Sequence, residues 1–230
     1  MGFLRFIAGV AMLPAAWGAA ASVPAVFSAI GDAGTAGPVF WASCGFMAFG
    51  AAWAVRVRPV RAYVLAHELT HALFGILCGA KVGRLKVAAS GGSVALSKSN
   101  MLITLSPYFF PFYAVLLALA ALCASLACGA LPCPQAWLAG AGFLWGFHLC
   151  FTVSSLVVRQ PDIQEYGRVF SWTLILAANA AFLAFSLAAA GQVPLSIPAV
   201  AAAGHAKQAY LAVRDAACAA AGILSAAAGR

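Results

Sequence analysis

Only a few side chains in this sequence could do chemistry. There are two glutamates, Glu68 and Glu165, and four histidines: His67, His71, His148 and His205. One glutamate and two of the histidines fall together as His67-Glu68-Leu69-Thr70-His71. On a helix, positions i and i+4 share a face, so the two imidazoles can turn a ring nitrogen toward one metal ion. Zinc takes imidazole nitrogen readily and in catalytic sites keeps one position for water. Glu68 follows His67 by one residue, about 100° of helical turn. From there its carboxylate can reach a water on the metal and take its proton without being a ligand. A glutamate between two histidines in an apolar segment is costly, about 2.5–3.5 kcal/mol at a membrane helix centre, unless something uses it.

Two protein ligands leave a third to be found. Asp32 lies at the tip of an N-terminal helical hairpin, on the wrong side, while His205 and Asp215 lie in the tail. Asp162, in Gln160-Pro161-Asp162-Ile163 just beyond an apolar span, is the favoured third ligand, and His148 within that span is the alternative. Glu165 is a neighbouring loop acid. Cys78 lies seven positions after His71, too far along the axis at about 1.5 Å per residue to share the same ion.

The elements that must position these groups are apolar. The chain has 230 residues, 64% hydrophobic, with 13 Lys+Arg against 5 Asp+Glu. Soluble domains carry about 25% charged residues, whereas this chain carries 8%. That excludes a soluble enzyme and a disordered chain. The net charge of +8 sits in short clusters between long apolar runs, a topological signal and not a nucleic-acid footprint. No nucleic-acid partner is expected; the partners implied are the lipid bilayer and molecules within it.

Phe6–Ile30 and Ala33–Val55 are free of basic residues and long enough to cross, forming a hairpin before the cluster Arg56, Arg58 and Arg61. The positive-inside rule puts that cluster in the cytoplasm. Ala62–Ala80 carries the histidine motif and has basic residues on both flanks, so its depth is open. Ser99–Val158 has no Lys, Arg, Asp or Glu and reads as two spans joined by a turn around Gly129, Pro132 and Pro134. Arg159–Arg168 is a polar loop, and Val169–Ala190 is the last clear span. The expected fold is an all-α polytopic membrane protein of about five or six membrane helices. Its expected parts are an N-terminal helical hairpin over 1–61, a metalloprotease-like core over 62–190 and a tail over 191–230.

Between the motif and the uncharged stretch, Leu85, Val87 and Ala89 alternate, then Gly91-Gly92, then Val94 and Leu96. That pattern predicts a small β-hairpin. Its edge could take an extended substrate strand by main-chain hydrogen bonds, with Gly91 and Gly92 at the contact. The seven cysteines show no CxxC pairing; Cys128 and Cys133 flank a turn, and the rest read as buried thiols.

Taken together, Ala62–Trp172 resembles the site-2 protease family of intramembrane zinc metalloproteases. The likeness is carried by His67-Glu68-Leu69-Thr70-His71, the Gly91-Gly92 hairpin and an aspartate near a later span. It implies Zn2+ held by His67, His71 and Asp162, Glu68 as catalytic base, and a membrane-anchored protein as substrate. It also implies a multi-pass location, in a bacterial cytoplasmic membrane. Two features depart from typical members: no glycine follows Asp162, and only about twenty residues stand where many members insert a peptide-binding domain. The alternatives are a zinc-holding membrane scaffold that cleaves nothing, or a transporter that uses the motif as an ion or proton relay.

Overall fold

The computed structural model describes residues 2–228. In chain order it has helices α1 (Gly2–Ala11), α2 (Leu13–Asp32), α3 (Ala36–Ala54) and α4 (Val60–Leu77), then strands β1 (Val82–Ala88) and β2 (Gly91–Leu96). There follow α5 (Met101–Leu105), a 3-10 turn Ser106–Tyr108, α6 (Phe112–Cys128), α7 (Pro134–Val157), α8 (Pro161–Tyr166), α9 (Arg168–Ala190) and α10 (Ser196–Ala228). The expected all-α architecture with one β-hairpin is what forms.

Three stretches of the described chain are long and apolar enough to cross a membrane: Gly2–Asp32, Pro134–Val157 and Arg168–Ala190. A fourth arises if Met101–Tyr108 and Phe112–Cys128, bent by 81° against each other, count as one broken span. The expected five or six are therefore not reached. Helix α4 falls short because Arg61, His67, Glu68 and His71 dilute its apolar residues, and α3 because its Gly, Pro, Ser and Trp residues do the same.

Besides an apolar core, the protein buries several polar side chains and exposes many large apolar ones. Ser22, Thr70, Ser106, Ser171 and Asn179 are buried, while Phe3, Trp17, Phe40, Met47, Leu126 and Val157 are exposed. Extended apolar surface of this kind suits a lipid surround.

The first two long helices do not pair as a hairpin. Helix α2 packs between α9 and α10, and α3 packs along α7. Val26 and Ile30 of α2 share a buried cluster with Ala184 and Ala188 of α9 and Val39 of α3. The tail is thus a long helix laid on α2, where Gly18 faces Ala202 and Ala206 and the Tyr210 hydroxyl donates to the Ala11 carbonyl at 2.9 Å.

Close approach of α3 and α7 depends on small residues, because lipid tails offer no hydrophobic drive for helices to associate and packing must supply it. Gly142 and Gly146 form a Gly-xxx-Gly pair on α7. A Cβ on Gly142 would run into the Ala42 carbonyl, and one on Gly45 into the Ala139 carbonyl.

Three sequence expectations change. Ser99–Val158 contains one unbroken helix, α7, and one broken segment, because Pro107 and Pro111 interrupt the helical ladder. The polar loop after α7 folds as the short helix α8, started by Pro161. The hairpin turn is Ala89-Ser90, while Gly91 and Gly92 are strand residues paired with Ala88 and Val87. The expected end of α6 is met, with Gly129 at φ +72° closing it in the left-handed conformation. No cysteine is in a disulfide among the described residues: Cys128 and Cys133 at the turn are free and exposed, and Cys44, Cys123 and Cys218 are exposed where buried thiols were expected.

Gly142→Ala should force α3 and α7 apart and destabilise the protein by roughly 1–3 kcal/mol. Gly50→Ala, with open space around its Cβ, should be neutral or stabilise by up to about 1 kcal/mol. Thermal unfolding of both variants in the same detergent checks this; equal melting temperatures would rule out the packing role given to Gly142.

Candidate metal centre

Helix α4 carries Tyr63, His67 and His71 at successive i+4 positions, so all three rings lie along one face. His67 and His71 meet at their Nε2 atoms, 3.1 Å apart. Helix α8 brings in the third group: Asp162 Oδ2 lies 3.5 Å from His67 Nε2 and 3.6 Å from His71 Nε2. One ligand atom from each of the three residues lies within 4.8 Å of the others, an arrangement that could hold a metal ion. His67 and Asp162 are 95 residues apart in sequence, and the fold joins them.

The donor set fits a cation on its own chemistry. His71 Nδ1 lies 2.8 Å from the Ile103 carbonyl. A carbonyl only accepts, so Nδ1 carries the proton and Nε2 keeps its lone pair for the cluster. That lone pair faces a second imidazole nitrogen and a carboxylate oxygen. A single shared proton satisfies one of these contacts, whereas a cation satisfies all of them. The second nitrogen of His67 has no hydrogen-bond partner among the described residues. Its ring is held by its neighbours, Tyr108 edge-on at 5.2 Å and Tyr63 at 5.7 Å.

Asp162 is fixed by a chain of hydrogen bonds. The Tyr108 hydroxyl donates to Asp162 Oδ2 at 3.0 Å. The Tyr108 carbonyl, left free by the break before α6, accepts from Asn179 Nδ2 at 2.8 Å and from Thr152 Oγ1 at 3.3 Å. Burial of Asp162 works to raise its pKa, but the adjacent His67 and His71 rings outweigh it and hold the carboxyl below the usual carboxylate range.

His148, the alternative third ligand, is not in the cluster. It is buried in α7 and donates from Nε2 to Asn179 Oδ1 at 3.0 Å, so it steadies the side chain that holds the Tyr108 carbonyl. Glu68 is buried on α4 and lines, with His67, His71 and Asp162, a cavity of about 770 Å3. Gly91 and Gly92 line the same cavity from β2. Gly92 is required there: a Cβ on it would sit 2.7 Å from Glu68 Cγ and 2.6 Å from Val64 Cγ1. Glu165 also borders the cavity but is not a member of the cluster.

No family model, no curated protein and no solved structure matches this chain. The site therefore stands on its geometry.

Sequence reasoning missed Tyr108, Asn179 and the Ile103 carbonyl. Two signals for them were present: prolines at 107 and 111 inside an uncharged run, and a lone asparagine inside the apolar stretch 169–190. Both mark places where a membrane helix carries polar groups that need partners.

Tyr108→Phe should weaken divalent-metal binding by roughly 10–100-fold, the usual cost of losing a partner that orients a ligand. Asp162→Ala should cost more, and Glu165→Ala should cost little. Equilibrium titration against a competing chelator measures all three; unaltered affinity in Asp162→Ala would remove it from the ligand set.

Proposed function

We propose that this chain is a zinc metallopeptidase of the site-2 protease type, hydrolysing peptide bonds of membrane-anchored proteins from a multi-pass position in a bacterial cytoplasmic membrane. The observation that carries this reading is the convergence of His67, His71 and Asp162 beside the buried Glu68, in one cavity edged by a β-strand. Two histidines and a carboxylate are a donor set that suits zinc and leaves room for a fourth ligand.

Zinc, when bound, supplies Lewis-acid polarisation of a carbonyl and lowers the pKa of water toward about 7. The rest is the work of this chain's own residues. His67 and His71 offer Nε2, the latter fixed through Ile103, and Tyr108 holds the Asp162 carboxylate in register. Glu68 takes a proton from the attacking water and returns it to the departing amine nitrogen, which leaves as a neutral amine. Strand β2 borders the cavity with main-chain N–H and C=O groups that can pair with an extended substrate. This matters because a helical substrate hides its amides until it unwinds. Gly92 keeps that strand close to Glu68 and leaves the carboxylate room.

Glu68→Gln keeps the size of the side chain and removes the base. It should retain zinc and lose cleavage of a tagged membrane substrate by roughly 10²–10⁴-fold. Zinc content and cleavage measured on one preparation separate the readings: unaltered cleavage rejects Glu68 as the base, and loss of zinc makes it a structural residue. Gly92→Val should lower cleavage at normal zinc content, since its side chain would occupy the space of Glu68. Full activity in that variant would remove the strand from the mechanism.

A further inference from the structure

The hairpin lies along α4. Leu96 Cδ2 would lie 3.0 Å from a Cβ on Gly75, and Gly92 meets Val64 and Glu68. The contacts therefore run back over eleven residues of the helix, about 16 Å at 1.5 Å per residue. Pairing of Leu85 with Val94 and of Lys86 with Ser93 sets β1 between those two levels. The whole of β1 is exposed, and so are Lys81, Arg84, Lys86 and Lys98. No Asp or Glu occurs between Glu68 and Asp162. None of these four cations forms an ion pair among the described residues. Val82, Leu85 and Val87 pair with Leu96, Val94 and Gly92 and so share the sheet face turned toward α4, while Lys86 lies on the other face.

A charge held in hydrocarbon lowers insertion by a factor on the order of a hundred. Arg84 and Lys86 flank α4 at the height of its metal-binding residues, so that height cannot be the middle of the bilayer. Independently, α4 is not among the helices long and apolar enough to cross. Basic residues at both ends of α4 then cease to conflict with the positive-inside rule, because the helix does not have to separate them.

We propose that strand β1 is a docking surface for anionic lipid headgroups, with Lys81, Arg84 and Lys86 on the phosphates. Clustered, unpaired basic side chains beside apolar helices attract anionic headgroups. Docking holds α4 and the cavity at headgroup level. If the site is the peptidase proposed above, on which this consequence rests, its substrates are segments flanking a membrane span and not the centre of the span.

The full chain is reconstituted in phosphatidylcholine nanodiscs with and without phosphatidylglycerol, and hydrogen exchange is followed over 82–96. Phosphatidylglycerol should slow exchange in β1 by roughly tenfold, with high salt or the combined Lys81→Gln, Arg84→Gln and Lys86→Gln variant abolishing the effect. Equal exchange in both discs overturns the docking. So does lipid-dependent protection that survives in the triple variant, or equal protection by inorganic phosphate in phosphatidylcholine discs. Cleavage sites are then mapped on single-span substrates: cuts beside the span support the headgroup height, and cuts at its centre overturn it. Lipid-dependent protection with no cleavage of any substrate supports the docking and rejects the peptidase reading.

Discussion

Two imidazole nitrogens and a carboxylate oxygen share a space a few ångströms wide, in a chain that otherwise avoids acid. Electron-rich atoms at such separations repel unless positive charge sits among them, and the lower dielectric of a partly buried site enlarges that repulsion. The surrounding structure serves to keep the three together. His71 is turned by the Ile103 carbonyl, Asp162 is gripped by the Tyr108 hydroxyl, and His67 is wedged between two tyrosine rings. Each of these holds one member of the cluster in one orientation, which is what preorganises a site.

That arrangement needs irregular backbone, and the polar groups it frees must find partners within the protein. The break between α5 and α6 meets this condition. Leu105 and Tyr108 lie in a buried cluster with Ile163 of α8 and Ile175 of α9. The Tyr108 carbonyl is satisfied by Asn179 and Thr152, and Asn179 in turn by His148 and Ile175. A polar network of this kind is stable only when every member has a partner. The same break that frees a carbonyl for His71 also presents a hydroxyl to Asp162, so the interruption of the helix and the assembly of the centre are one structural event.

Glycine fixes distances elsewhere. Gly142, Gly146 and Gly45 let α3 and α7 touch through their backbones, and Gly92 lets β2 rest on Glu68. In the first instance the gain is packing between helices that water does not drive together. In the second it is access, because the carboxylate occupies the space a larger residue would take.

By itself, the sequence determined the class of the fold and half of the centre. Scarce charge and long apolar runs require helices, alternation beside Gly91-Gly92 requires a hairpin, and the i, i+4 spacing puts His67 and His71 on one face. These are local consequences of composition and backbone period, so no distant contact was needed to read them. The tertiary structure alone decided that Asp162 joins the two histidines while His148 serves Asn179, that two prolines break a span expected to be whole, and that α2 and α3 take different partners. Each of these depends on which helices meet, and that is set by packing between residues far apart in the chain, which no local pattern encodes.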